Sequence, residues 1–130
     1  MNAPRKPAIW ADAMQLATEI EVAVRGFPRY HKYTLGTDLR RQAATICRRV
    51  AQAARFPEQR VETLKGLVMA VEDLKISIQL AKEVKAFANF AQFQRVVELA
   101  VLVGKQSGGW WKQARSAAPR EAANAAGRGV

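Results

Sequence analysis

The chain has few of the side chains that enzymes commonly use for chemistry. Among its 130 residues there is one cysteine, Cys47, and one histidine, His31. A single cysteine excludes a disulfide within the chain, and a zinc site needs several cysteine, histidine or carboxylate ligands. The glycines at positions 104, 108 and 109 lack the spacing of a phosphate-binding loop and follow a predicted helix, not a strand. We therefore expect no catalytic residue, no metal site and no cofactor.

Long uncharged apolar runs are also missing. None reaches the ~20 residues that a helix needs to cross a bilayer. The segment Met1–Pro7 is polar, and the residues after it are interrupted by acidic side chains, so a secretory leader is not expected. These features predict a cytoplasmic protein. No segment shows sustained apolar–polar alternation between turn signals, which argues against strands.

Acidic residues are scarce relative to basic ones. The chain has 11 Asp and Glu against 21 Lys and Arg, which gives a net charge of +10 and a pI near 10.5. Between Arg25 and Arg60 there are nine basic residues and two acidic ones, a net charge of +7. Such a field concentrates anions, so a polyanion or an acidic protein surface is the expected partner. The alternative is that these charges are merely solvated.

What the chain does have is apolar spacing typical of four amphipathic helices. The first is predicted over about residues 9–25, the second from between Thr34 and Thr37 to Arg55, and the fourth from about Phe90 toward Trp110. The third has the most regular pattern, a heptad-like row of Leu64, Leu67, Val71, Leu74, Ile78 and Ala81. The first helix is expected to bury Trp10, Met14, Ala17, Ile20 (or Glu21) and Val24, and the fourth Phe90, Phe93, Val96, Val97, Ala100 and Val103.

Short connections between these helices predict an all-α, antiparallel up-down four-helix bundle over residues 1–115. From residue 116 to residue 130 the composition changes to Ala, Pro, Gly, Asn and isolated Arg. Such a segment has almost nothing to bury, and it is predicted to be a disordered Ala/Gly-rich tail.

The second helix has two contrasting faces. Its apolar row consists of Leu39, Ala43, Ile46, Val50 and Ala53. Arg41, Arg48 and Arg55 repeat every seven residues and, at about 100° per residue, point away from that row. Arg40 and Arg49 flank them, and Cys47 lies beside the apolar row, where a small buried thiol is expected. One face is suited to burial, and the other presents guanidinium groups to an acidic partner.

Aromatic residues are concentrated at two places. Tyr30, His31, Lys32 and Tyr33 alternate aromatic and cationic groups in a predicted loop, a composition suited to stacking on bases while neutralising phosphates. Alternatively, one or both tyrosines close off the end of the bundle. Trp110 and Trp111 end the fourth helix, and only one of them is expected to face the core. The other is then a candidate interface residue.

Two segments resemble a known family. FPRYHKYTLGTDLRRQA (residues 27–43) and VVELAVLVGKQSGGWWK (residues 96–112) are similar to the accessory variability determinant (Avd) proteins of diversity-generating retroelements. The broader group is the bacterial four-helix-bundle proteins that include those encoded in 23S ribosomal RNA intervening sequences. The similarity spans roughly residues 10–112, and its most specific parts are Phe27-Pro28, Tyr33–Gly36 and Gly109-Trp110.

The resemblance implies a four-helix protomer that assembles into a basic homopentamer without chemistry of its own. Avd proteins join a reverse transcriptase to its template RNA in mutagenic cDNA synthesis. In this chain, the residues that would contact the polymerase or the nucleic acid are Arg29, Lys32, Arg40, Arg41, Arg48, Arg49 and Arg55. The expected nucleic acid is RNA, with DNA as a second candidate, and it is expected to be bound without sequence specificity. Two alternatives stay open: a protein of the intervening-sequence type, and a protein–protein scaffold whose arginines bind an acidic partner.

Overall fold

Helices make up almost all of residues 7–128, the part of the chain that this computed structural model describes; side chains are described for residues 7–118. The helices are α1 (Ala8–Arg25), the short α2 (Arg29–Lys32), α3 (Leu35–Arg55), α4 (Arg60–Glu83) and α5 (Phe90–Arg128), and a 3-10 turn (Pro57–Gln59) joins α3 to α4. No strand occurs within residues 7–128. The all-helical fold class is therefore confirmed. Over the same residues, no helix combines the length and the apolar composition needed to cross a membrane.

The four long helices pack side by side in the order α1, α3, α4, α5, and α5 returns against α1. Helices α1 and α3 are antiparallel, because residues near the end of α1 contact residues near the start of α3. Arg40 Nε lies 2.8 Å from Glu21 Oε2, and the Cys47 thiol donates to the Ala13 carbonyl at 3.4 Å. The same antiparallel pairing relates α5 to α1 through Arg95–Glu19 and Gln106–Asp12. The bundle is therefore of the up-down type, in which short connections make neighbours antiparallel.

The core confirms the predicted apolar faces of α3 and α4. All five residues of the α3 row and all six of the α4 row are buried. Val96, Ala100 and Val103 of α5 join them, as does Phe93. These rows are buried because residues three and four apart lie on one face of a helix, and burial of that face is the main favourable term in folding.

The predicted inner face of α1 is confirmed at Ile20 and Val24 but wrong by one residue in the first half of the helix. The buried side chains are Ile9, Ala13, Leu16, Ile20, Ala23 and Val24, while Met14 is exposed and Trp10 and Ala17 are only half-buried. Two adjacent faces of this helix carry apolar residues at helical spacing, so periodicity alone does not choose between them. Packing against α3 selects the face with the small Ala13, whose carbonyl accepts the Cys47 hydrogen bond.

The start of α5 also differs from the prediction. Phe90 is 64% exposed, although its ring lies 5.7 Å from that of Phe93. Phe87, in the preceding turn, is half-buried and meets Phe27 edge-to-face at 5.3 Å. Phe90 is the first residue of α5, at the end of the bundle, and no facing helix covers it there.

The last helix is longer than the composition predicts. The expected disordered tail begins at residue 116, whereas α5 continues as helix to Arg128. Residues 116–128 contain six alanines, the residue of highest intrinsic helix propensity, although Pro119 and Gly127 in the same segment oppose helix formation. The boundary at residue 115 therefore does not mark the end of the helix. Residues 129–130 of the predicted tail lie outside the described residues.

Gly36 is required by the close approach of α3 to α1. A Cβ at this position would lie 2.6 Å from Val24 Cγ1, and the branched Val24 side chain is fully buried. We expect Gly36→Ala to lower the free energy of unfolding by about 1–3 kcal/mol because it overpacks the core. Thermal denaturation followed by circular dichroism measures this loss.

Gly109→Ala is the matched control for Gly36→Ala. A Cβ at Gly109 meets nothing within 4 Å, so the substitution adds only helix propensity, worth about 1 kcal/mol of stabilisation. Equal effects of the two substitutions, or a stabilised Gly36→Ala protein, would show that α1 and α3 do not approach this closely.

Helix α4 ends in a Schellman motif that has a lysine where glycine is favoured. Lys85 has φ +60°, its amide donates to the Lys82 carbonyl at 2.9 Å, and the Ala86 amide donates to the Ala81 carbonyl at 2.9 Å. A left-handed conformation costs an L-residue about 1–2 kcal/mol, which glycine avoids. We expect Lys85→Gly to raise the free energy of unfolding by about 1 kcal/mol in a denaturant titration. Lys82→Gly, one turn earlier in the helix, should instead lower it by about the same amount.

Candidate nucleic-acid interface

The arginine row of α3 lies on the outer surface, as its spacing predicts. Arg41, Arg48 and Arg55 are all exposed and lie opposite the buried row of the same helix. Arg48 Nη2 donates to Thr45 Oγ1 at 3.3 Å, and the Arg55 guanidinium carbon lies 5.6 Å from the Phe56 ring centre. These contacts orient the side chains along the surface and leave the guanidinium groups accessible to solvent.

The two flanking arginines lie on opposite sides of that row. Arg40 is half-buried and turns toward α1, where it forms the ion pair with Glu21. Arg49 is also half-buried but turns toward α4, where its guanidinium group lies against Gly66. Arg40 is thus partly neutralised within the bundle, whereas Arg49 is not.

Most of the predicted contact residues have no acidic neighbour. Arg41 has one carboxylate oxygen of Asp38 at 3.8 Å, and Arg40 has Glu21. Among the side chains of residues 7–118, no carboxylate oxygen lies within 4.0 Å of the cationic groups of the other five, which are Arg29, Lys32, Arg48, Arg49 and Arg55. The positive charge of this face is therefore largely uncompensated locally and is available to an external anion.

The predicted aromatic–basic loop is the short helix α2. Tyr30 and Tyr33 are 84% and 67% exposed, so they do not close off the end of the bundle. Tyr30 packs edge-to-face on His31, with ring centres 5.0 Å apart. Arg29 is exposed and Lys32 half-buried beside them. Exposed aromatic rings next to cations are available for stacking on bases.

Both tryptophans at the end of the bundle pack partly against the core, so the prediction that only one faces it is wrong. Trp110 and Trp111 are each half-buried. Trp110 borders a cavity with Ile9 of α1, and the Arg115 guanidinium lies 4.0 Å from the Trp111 ring centre. Near its end the bundle is open enough for two adjacent positions, about 100° apart, to contact neighbouring helices.

Arg60 contributes to the basic count but acts within the fold. Its Nε donates to the Ala53 carbonyl at 2.7 Å and its Nη2 to the Ala54 carbonyl at 3.2 Å. These carbonyls belong to the last turn of α3, where helical partners are missing and a positive charge is favourable. Arg60 is therefore a helix cap and does not belong to the candidate interface.

The single cysteine and histidine are not arranged together. The Cys47 thiol is half-buried between α3 and α1, and this burial raises its pKa, although the nearby charge of Arg48 opposes the shift. A raised pKa keeps the thiol protonated and unreactive near neutral pH. His31 lies on α2, in contact with Tyr30. Within the described residues, no three His, Cys, Asp or Glu side chains are grouped so as to hold a metal ion.

A groove between α3 and α4 is a candidate binding site that the sequence analysis did not predict. It has a volume of about 390 Å³ and is lined by Arg41, Gln42, Thr45, Arg49, Gly66, Met69, Ala70 and Asp73. Gly66 in the middle of α4 was the available signal, because a glycine inside a strongly patterned helix often marks a close approach. Comparison with known proteins adds no assignment to these residues, since no protein-family model and no curated protein matches the chain.

Proposed function

We propose that this chain is a non-catalytic basic accessory protein that binds a reverse transcriptase and its template RNA, as the Avd proteins it resembles do. The observation that carries the proposal is the exposed row of Arg41, Arg48 and Arg55. Together with the exposed Tyr30 of α2 and Tyr33 directly after it, this row provides cations for phosphates and rings for bases. The link to a retroelement polymerase rests on the sequence resemblance.

The dimensions of the row suit a nucleic-acid strand. Fourteen residues separate Arg41 from Arg55, so the row extends for about 21 Å at 1.5 Å per residue. That length corresponds to roughly six phosphates of one strand at 3.4 Å each. Contacts to phosphates position a nucleic acid but do not read its sequence. We therefore propose binding to RNA, and to DNA, without sequence specificity.

The protomer is proposed to assemble as a homopentamer, which would repeat the arginine row around a ring. Apolar side chains outside the groove between α3 and α4 remain on the outer surface of α4 after the bundle has formed, and these are Ile76, Leu80 and Val84. Large exposed apolar patches mark interaction surfaces. Linked sites on a ring raise avidity well above that of a single site. Light scattering that reports a monomer at micromolar concentration would contradict this assembly.

The main alternative is a scaffold whose arginines bind an acidic protein. Salt dependence separates the two, because counterion release from phosphates gives a slope of about −0.7 per contact in log K against log salt for single strands. We expect the isolated protein to bind single-stranded RNA with a slope of about −2 or steeper, because each of the three arginines of the row would contact one phosphate. A flat salt dependence, or no RNA binding, would favour the scaffold.

The decisive experiment for the polymerase is co-expression. The chain is expressed with the reverse transcriptase encoded nearest to it and tested for co-purification and for support of template-primed cDNA synthesis. We expect co-purification and loss of cDNA when the chain is omitted. If cDNA synthesis is indifferent to the protein, the Avd-like function fails, and a protein of the intervening-sequence type becomes the better description.

A further inference from the structure

The groove between α3 and α4 contains two buried polar atoms without hydrogen-bond partners among the described residues. They are Nε of Arg49 and Oε1 of Gln42. Both residues line the same groove of about 390 Å³. A buried polar group without a partner is destabilising, and native structures have few of them. The two atoms differ in hydrogen-bonding character, one a donor and one an acceptor, and each exposes less than 1 Å². They point to a ligand that supplies an acceptor and a donor when the two side chains turn toward the groove.

The position of Arg49 favours an anion as the acceptor. Its guanidinium group lies against the α4 backbone at Gly66, where a Cβ would be 3.1 Å from Nη1 and 3.3 Å from Cζ. Asp73 lines the same groove, but none of its oxygens is within 4.0 Å of the Arg49 nitrogens. A partly buried charge is costly without a counter-charge, and a planar guanidinium matches the oxygens of a phosphate.

We propose that this groove binds one nucleotide of RNA, with the phosphate against Arg49 and the ribose 2′-hydroxyl against the Gln42 amide. The inference rests on the proposed function, and it names the chemical group of RNA that the protein recognises. The 2′-hydroxyl both donates and accepts hydrogen bonds, so it supplies the donor that Gln42 Oε1 lacks. It is also the group that lets a protein distinguish RNA from DNA.

The remaining walls of the groove fit a single nucleotide. Its volume of about 390 Å³ lies within the usual range of about 300–1,000 Å³ for small-ligand sites. Met69 is exposed beside it and offers a flexible, polarisable surface for a sugar or base. Because α3 and α4 are antiparallel, with Arg49 opposite Gly66 and Arg60 opposite Ala53, Asp73 lies at the other end of the groove from Arg49. Its carboxylate repels a phosphate there, so only the Arg49 end accepts one.

The test compares three single-stranded oligonucleotides of one sequence: RNA, DNA and 2′-O-methyl RNA. Fluorescence anisotropy at fixed salt measures their affinities for the wild-type protein and for Gln42→Met, a substitution of similar size without hydrogen-bonding groups. We expect wild type to bind RNA roughly two- to tenfold more tightly than DNA, the effect of one net hydrogen bond. The 2′-O-methyl RNA, which cannot donate, should bind like DNA.

Gln42→Met should lower RNA affinity to the DNA level and leave DNA affinity unchanged. Gln52→Met is the matched control, since Gln52 is exposed on the same helix and outside the groove, and it should keep the full RNA preference. Arg49→Gln tests Arg49 by removing its guanidinium, so RNA and DNA affinities should both fall. Lys65→Gln is the matched control, because it removes the same charge from an exposed position of α4 outside the groove, and it should change both affinities much less.

The outcomes separate this inference from the proposed function. Equal wild-type affinity for RNA and DNA, or a preference that survives in Gln42→Met, overturns the groove assignment while the arginine row still binds nucleic acid. An Arg49→Gln protein that loses no more affinity than Lys65→Gln overturns the role of Arg49. If neither oligonucleotide binds and only an acidic protein does, both the groove assignment and the proposed function fail.

Discussion

Leu74→Ala is expected to lower the free energy of unfolding by about 2–5 kcal/mol, the largest stability effect of any substitution considered for this chain. Leu74 lies in the middle of α4 and is completely buried. Shortening it removes apolar contact area and leaves a cavity that rigid neighbouring helices fill only partly. Chemical denaturation followed by circular dichroism measures the loss. It is compared at one protein concentration, because assembly makes stability concentration-dependent.

The control for Leu74→Ala lies two residues further along the same helix. Ile76 has a side chain of the same volume but is 69% exposed. In the dissociated protomer, Ile76→Ala should therefore change the free energy of unfolding by no more than about 0.5 kcal/mol. Lys75→Ala, between them, removes an ion pair with Glu72 at 2.9 Å and should cost less than about 1 kcal/mol. Similar losses at Leu74 and Ile76 in the dissociated protomer would mean that the assigned inward face of α4 is wrong.

Replacing Arg41, Arg48 and Arg55 together by glutamine is expected to have the largest effect on binding. If each contacts one phosphate, the salt slope for single-stranded RNA should become shallower by about 2, and the affinity at 0.1 M salt should fall about a hundredfold. Helicity and melting temperature should stay close to wild type, because all three side chains are exposed. Anisotropy titrations at several salt concentrations and a thermal melt measure these effects.

A control triple variant removes the same charge from other helices. Lys82, Lys105 and Lys112 are exposed on α4 and α5, and their replacement by glutamine should weaken binding only slightly. Equal losses in the two variants would indicate that net charge, and not the α3 row, determines affinity. If the arginine variant unfolds or changes its oligomeric state, the row lies in a protomer interface and not on a nucleic-acid surface.

The sequence by itself determined the existence of the four long helices, the inward faces of α3 and α4 and the outward arginine row. On α3, apolar residues three and four apart alternate with arginines, so only one orientation buries the former and solvates the latter. The heptad-like row of α4 has no competing apolar face of similar regularity. In both helices the choice of face depends on residues within a few turns of each other, and helical geometry alone relates their positions.

Only the tertiary structure decided the features that depend on which residues meet across helices. On α1, two neighbouring apolar faces were available, and packing against α3 chose Ile9 and Ala13 over Trp10 and Met14. Contacts across helices also decided that Arg40 pairs with Glu21 while Arg49 lies on Gly66. Partners of this kind are far apart in sequence, and their distances follow from how closely two backbones approach. Local periodicity contains no information about that approach, because it arises from the fit of side-chain volumes across the core.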